Sequence, residues 1–392
     1  MFPPMLTAYR YRLSLTDEQA QRCVEYGAIC RAVWNTALDQ RRQVLRRWRR
    51  GQDVPFCGYR LQAAQLVEAK AEEEWLRVAP SHILQQTLKD LDFACRRHGT
   101  FKVRWRAKGR WKPSFRFPDG PRIAVERLGR KHGRVKLPKL GWVRFRWSRA
   151  PQGTIRSATV SLDGRHWYVS LLCEDGEHTP GIHAVPGSAA GVDRGVAVAV
   201  ATSDGDLFDR TFQTPKEHER ERRLRRRLSR RCRGSGNRAR TKAALSALTG
   251  RVRARRADFC AQTAAVLCAK NAVVVLERLR IANMTASAKG TVEMPGRNVR
   301  AKAGLNQAIL SKGWHGFKLA CENKARRTGT RVVEVDAAYT SQTCHPCGHV
   351  DPKSRESQAS FRCTVCGHRE NADVNAAKNT LVRGWAEIPL PG

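Results

Sequence analysis

The sequence predicts a mixed α/β chain of three modules: a small β-barrel, a helical block that interrupts it, and an α/β domain with an inserted four-cysteine ribbon. Three observations predict this. Residues 16–99 repeat apolar positions every three or four residues, whereas 101–172 alternate apolar residues with arginine. After a break rich in Pro and Gly, three strands are followed by helices alternating with short apolar strands. Two Cys-x-x-Cys pairs then interrupt the end of that domain.

Bulk composition sets the bounds. A chain of 392 residues fills two or three domains, and 41% apolar residues are enough for real cores. Lys and Arg number 73 against 35 Asp and Glu, a net charge of +38. That excess excludes an ordinary enzyme of small metabolites and implies a polyanionic partner, nucleic acid before an anionic membrane. The sequence has no lipidation motif, no charged-then-apolar leader pattern and no apolar window long enough to span a bilayer. The cysteines outside the ribbon have no framework spacing, as expected of a reducing compartment. The expected location is the cytoplasm, or wherever the cell keeps its DNA.

Taken in order, Tyr9–Leu15 alternates and reads as a strand. Thr16-Asp17-Glu18-Gln19 is a capping box. The helix behind it places Cys23, Gly27, Cys30, Val33, Trp34, Ala37 and Leu38 on one face and ends in an arginine-rich run, Arg41–Arg50. Two further helices follow, Leu61–Trp75 and Ser81–His98. The helical block is thus 16–99, and the β-barrel combines 1–15 with 100–180. In the barrel, Phe101–Arg106, Phe115–Phe117 and Trp142–Trp147 read as strands, and Ala158–Leu162 with His166–Leu172 as a hairpin turning at Asp163-Gly164. One face is apolar and the other is arginine, a surface suited to tracking phosphates. Its candidate nucleic-acid-binding residues are Arg104, Trp105, Arg144 and Arg146.

Residues 181–189 read as a linker, and 190–392 as the α/β domain. A first strand ends near Asp193, a second follows, and Asp204-Gly205 turns into a third. Basic helices span Lys216–Arg233 and Arg238–Lys270, and the apolar run Ala272–Leu276 is a strand covered on both faces that ends at Glu277. A helix over Leu305–Thr328 leads to strand Arg331–Val335, the ribbon insert over 340–370, and a last helix capped by Asn371 with Asp373 in its first turn. This βββαβαβα order is that of an RNase H-like domain. In such a sheet the first and fourth strands lie side by side and their carboxyl ends open onto one crevice. Asp193 and Glu277 become neighbours there, and Asp373 reaches the same point from its helix. Three carboxylates can hold two Mg²⁺ ions about 4 Å apart, one activating water and one stabilising the leaving oxygen of a phosphodiester.

The ribbon offers Cys344, Cys347, Cys363 and Cys366, with fifteen residues between its two knuckles. That spacing fits one tetrahedral Zn²⁺, and four protein ligands leave no position open for water, so the zinc is structural.

The stretches GVDRGVAVAVATSDG, VVVLERLRIANMT and YTSQTCHPCGHV with FRCTVCGHRENADVNAAKN resemble the three RuvC-like motifs and zinc ribbon of TnpB, the transposon-encoded relative of type V CRISPR nucleases. The resemblance covers roughly 188–383 and matches Asp193, Glu277 and Asp373 to the family's catalytic acids and the four cysteines to its zinc ligands. Arg194 and Arg278, beside two of the acids, are more basic than is typical there. The resemblance implies a RuvC-like nuclease domain, with the barrel as a "wedge" interrupted by a helical recognition lobe. It also implies a guide RNA from the transposon end and cleavage of double-stranded target DNA with a displaced single strand. The basic helices, through Arg222, Arg226, Arg230 and Arg253, then face a guide–target duplex. The alternatives are a compact type V CRISPR effector and a guide-dependent DNA-binding protein that cuts weakly or not at all. A DNA-joining transposase is disfavoured, because no His-hydrophobic-His pair accompanies a tyrosine.

Overall fold

The computed structural model describes residues 5–387; residues 1–4 and 388–392, the outer ends of the first and last expected modules, lie outside the described residues. The chain divides into two compact units, one running to Glu177 and the other starting at His178.

The first unit opens with β1 (Leu6–Ser14), which runs into the expected capping box. Gln19 N–H donates to the Thr16 hydroxyl and Thr16 N–H to the Gln19 side chain, both at 3.2 Å. Helices α1 (Asp17–Trp48), α2 (Tyr59–Glu72), α3 (Glu74–Val78) and α4 (Ser81–His98) follow. The single helix expected over Leu61–Trp75 is thus two, divided where Glu73 turns extended. Strands β2 (Ser114–Phe117), β3 (Val125–Arg127), β4 (His132–Leu137), β5 (Gly141–Arg146), β6 (Thr154–Asp163) and β7 (His166–Glu174) complete the unit. Their sheet has the order β2-β6-β7-β1-β5-β4-β3 and is antiparallel throughout. β1 is its central strand, so the helices are an insertion into a sheet. β2 and β3 are the ends of the order and do not pair with each other among the described residues. Period-two alternation decides the faces: Tyr9, Tyr11, Leu13, Val143 and Phe145 are buried, while Arg10, Arg12, Arg144 and Arg146 stay exposed.

The expected strand Phe101–Arg106 is not a strand. Side chains of α1 take its backbone groups instead. Arg42 donates to the carbonyls of Phe101 and Val103, Trp34 to that of Arg104, and Asn35 both donates to and accepts from the backbone of Arg106. With those groups satisfied, the segment has no need of a ladder.

The second unit starts with β8 (Ala189–Asp193), β9 (Val200–Thr202) and β10 (Leu207–Phe208), then α5 (Pro215–Arg230), α6 (Gly236–Lys270), β11 (Val273–Glu277) and the short α7 (Ile281–Met284). It continues with α8 (Val299–Lys312), α9 (Trp314–Thr328), β12 (Arg331–Val335), the ribbon hairpin β13 (Ser360–Arg362) and β14 (Arg369–Asn371), and α10 (Ala372–Glu387). The helix expected over Leu305–Thr328 is broken at Gly313, whose φ of 77° ends α8 in the left-handed region. The main sheet has the order β10-β9-β8-β11-β12, with β8, β11 and β12 parallel. The first and fourth strands of this unit are therefore hydrogen-bonded neighbours, as the element order predicts.

Alternation then divides the helices between the two faces. Val192, Val274 and Leu276 pack with Phe259 and Leu267 of α6 and Phe317 of α9. Gly191 and Val275, one residue out of phase, face α10. A Cβ on Gly191 would lie 2.1 Å from the Ala377 carbonyl oxygen, and one on Gly384 would lie 2.4 Å from Val275 Cγ2. Missing side chains at both points let α10 lie directly on β8 and β11.

No helix among the described residues is long and apolar enough to cross a membrane.

Candidate active site and metal centre

Asp193 and Glu277 are the last residues of β8 and β11, whose register pairs Val192 with Leu276. That pairing sets the two acids side by side at the same end of the sheet. Both line an open crevice of about 580 Å³ with Arg278, Arg280, Trp314 and Thr340. Asp373 is the second residue of α10, set by Asn371, whose Oδ1 accepts from the backbone N–H of Asp373 and Val374 at 3.0 and 3.2 Å. Its Oδ2 would lie 3.7 Å from a Cβ on Gly195, two residues past Asp193. The three acids therefore come from three separate elements to one end of the sheet.

Their electrostatics reflect that convergence. The Asp193 carboxyl is pushed up to about 8 by burial, and after that by the charges of Glu277 and Asp373. Glu277 is also raised, chiefly by burial, although Thr340 and Arg194 favour its charged form. Arg194 is itself buried, and donates to the backbone carbonyls of Glu277 and Trp314. It thereby ties the end of β11 to the start of α9. Arg278, by contrast, is exposed at the crevice.

Sequence reasoning missed two neighbours of the acids. Thr340 donates its hydroxyl to Glu277 Oε1 at 2.6 Å. Arg355, from the loop between the two knuckles, donates to Asp373 Oδ1 at 2.9 Å. Neither contact has a local signal, since 63 and 18 residues separate the partners. Thr340 is held in turn from α10. Asn379 donates to the carbonyls of Thr340 and Thr343 at 2.9 and 2.7 Å. Asn375 donates to Thr343 at 2.8 Å and accepts from His345 N–H at 3.0 Å.

Cys344, Cys347, Cys363 and Cys366 bring their sulfurs within 4.8 Å of one another. The 344–366 and 347–363 sulfur pairs are each 3.6 Å apart. A tetrahedron with metal–sulfur bonds of about 2.3 Å has edges of about 3.8 Å, so the donor set fits Zn²⁺. Gly348 and Gly367 close the two knuckles at φ 73° and 72°, each donating its N–H to the first cysteine carbonyl of its knuckle. The N–H groups of Cys366 and Val365 point at Cys363 Sγ and hold that thiol down to about 6. Among the described residues no other trio of ligating side chains gathers so tightly.

The candidate nucleic-acid residues are all exposed: Arg104, Trp105, Arg144 and Arg146 in the first unit, and Arg222, Arg226, Arg230 and Arg253 in the second. On α5, Arg223 and Arg225 pair with Glu219 and Glu221. Arg222, Arg226 and Arg230 make no ion pair among the described residues and recur every four residues along one face.

Comparison with known proteins extends the picture. A family model described as "Probable transposase" (OrfB_IS605) matches residues 177–288, and a "Cas12f1-like, TNB domain" matches 314–380. A third, described as a helix-turn-helix domain, matches 1–50, where the described residues form β1 and α1. The chain is 36% identical to the "Putative RNA-guided DNA endonuclease InsQ" of Escherichia coli K12, over 98% of this chain and 93% of that protein. It is 29% identical to a "Putative RNA-guided DNA endonuclease" of Streptomyces pristinaespiralis, over 98% and 91% respectively. Among solved structures, a Cas12f1 chain in complex with sgRNA and target DNA shares the fold. Its TM-score is 0.51 at 13% identity, covering 96% of this chain and 98% of that one.

Proposed function

This chain belongs to the TnpB family of transposon-encoded RNA-guided DNA endonucleases, and from that membership we propose that Asp193, Glu277 and Asp373 form its DNA-cutting site. One observation carries the proposal: three acids from three elements meet at one sheet end, where burial first, and then the charges of Glu277 and Asp373, push Asp193 up to about 8. Carboxylate oxygens are the donors that a hard divalent cation prefers. Two Mg²⁺ ions shared across the trio would suit an RNase H-like, RuvC-type domain, which the strand order fits. Bound there, the ions supply an ionised water and a counter-charge for the leaving oxygen.

The chain's own residues prepare the rest. Thr340 fixes the rotamer of Glu277, and Arg194 anchors that residue's backbone. Arg355 balances Asp373 from the ribbon side. Arg278 and Arg280 line the crevice and offer positive charge to DNA phosphates on either side of the cut. The four cysteines hold a structural Zn²⁺ that stiffens the loops carrying Thr340 and Arg355. Exposed arginines on α5 and α6 face the phosphates of the guide–target duplex.

A CRISPR effector finds less support, since the relatives that match along nearly the full length are named as RNA-guided endonucleases without a CRISPR association. A guide-dependent binder without cleavage is disfavoured by the complete acid trio. The test is to co-express the chain with its native flanking DNA, sequence the RNA that co-purifies, and offer matched double-stranded DNA with and without Mg²⁺. A discrete RNA and Mg²⁺-dependent cutting are expected. Bound RNA with target occupancy but no cutting would instead favour the binder.

A further inference from the structure

The last turns of α1 carry an arrangement that the nuclease site does not use. Between Asp39 and Asp53 there are six arginines and no acid. Arg41 turns inward to pair with Asp92, but Arg46, Arg47, Arg49 and Arg50 are exposed. Like charges at this density on one helix end repel one another unless a polyanion neutralises them.

Two aromatic rings lie against this surface. Arg49 sits over Phe101 at 4.5 Å from the ring centroid, and Arg42 over Trp105 at 4.9 Å. Arg42 lies on α1 and Arg49, its C-cap, keeps helical backbone angles (φ −62°, ψ −18°) seven residues on, so the two project from the same side. Phe101 remains 39% exposed and Trp105 44%, although both are large apolar side chains. The segment carrying them is not free to fold them inward. Hydrogen bonds from Trp34, Asn35 and Arg42 fix its backbone at Phe101, Val103, Arg104 and Arg106. The rings are thus held rigidly outward, each backed by a guanidinium, beside a row of exposed arginines.

We propose that Phe101 and Trp105 form a stacking platform for unpaired bases of a single-stranded nucleic acid, with Arg46, Arg49 and Arg50 taking its phosphates. A duplex presents mainly its backbone and keeps its base faces stacked inside, so exposed rings add nothing to duplex binding. An unpaired base offers a free π-face, and arginine beside the ring adds cation–π attraction. The proposal rests on the reading that this chain handles nucleic acid, and it adds a place in the first unit where single strands are held.

The test needs neither guide nor cleavage. Full-length protein is titrated with fluorescein-labelled oligothymidine and oligouridine of about twelve residues, and with an abasic backbone of the same length. Wild type should prefer at least one base-bearing strand by about tenfold or more. The two sugar arms show whether the bound strand is DNA or RNA. Phe101→Ala with Trp105→Ala should remove the preference and leave abasic binding unchanged, while Trp105→Phe should keep most of it. No base preference in wild type, or a double variant that keeps the preference, overturns the platform. The Asp193→Ala protein separates the two claims: it should retain the base preference while losing cleavage.

Discussion

Thr340 donates its hydroxyl to Glu277 Oε1 at 2.6 Å, and its own carbonyl is held by Asn379 on the helix that carries Asp373. One residue therefore links the second acid to the element of the third. A hydrogen bond to a buried carboxylate is worth about 1.5–3 kcal/mol, so Thr340→Val should slow cleavage by about ten- to a hundredfold. Thr340→Ser should retain most activity. Single-turnover rates on guide-matched DNA check this, and a Thr340→Val rate equal to wild type would remove Thr340 from the site.

Close approach of α10 to β8 is equally exposed to test. A Cβ at Gly191 meets the Ala377 carbonyl and the Leu381 backbone, which cannot move aside as a flexible side chain can. Gly191→Ala should cost about 1–3 kcal/mol or more and displace Asp373, with cleavage lost. Gly384→Ala meets only Val275 side-chain atoms and should cost less. Thermal denaturation of the two variants gives the comparison.

Protonation of Asp193 predicts a pH dependence with a definite sign. Asp193 is raised from 3.8 to about 8, so between those values the folded chain holds a proton that the unfolded chain has released. The stability of the metal-free fold therefore falls, through Asp193, as pH rises through that window. Asp193→Asn removes the titration and should gain on wild type between about pH 5 and about pH 8, measured without added divalent metal. Added Mg²⁺ should reverse the wild-type loss. A stability difference between variant and wild type that does not change with pH would contradict the shift.

The candidate site is legible in the sequence where chemistry is local in the chain. The cysteine knuckles announce themselves by spacing, and Asp193 and Glu277 by their position at the ends of short apolar runs. The capping box at Thr16 and Gln19 was readable for the same reason. Phe101–Arg106 was misread because its alternation is real but its hydrogen-bond partners are Trp34, Asn35 and Arg42, about sixty to seventy residues earlier. Thr340 and Arg355 were invisible for a related reason: what matters about them is a partner that only the fold brings near. The break at Gly313 could have been read, since glycine near a helix end is a common stop signal.

Removing the zinc should act through geometry rather than chemistry. The knuckles anchor both the loop presenting Thr340 and the loop presenting Arg355, so Cys363→Ser should lose bound zinc and loosen both. Hydrogen exchange at 339–345 and 352–358 should rise, and cleavage should fall even with Mg²⁺ in excess. Unchanged exchange in a zinc-free variant would show that the ribbon does not support the acids.

The central claim is that three carboxylates do the cutting, and the direct measurement is single-turnover cleavage of guide-matched DNA by Asp193→Ala, Glu277→Ala and Asp373→Ala, each assayed alongside its RNA and target binding. Each variant should bind RNA and target close to wild type and cut at no detectable rate. A variant that binds normally and still cuts at the wild-type rate would contradict the assignment of that acid and, with it, the trio.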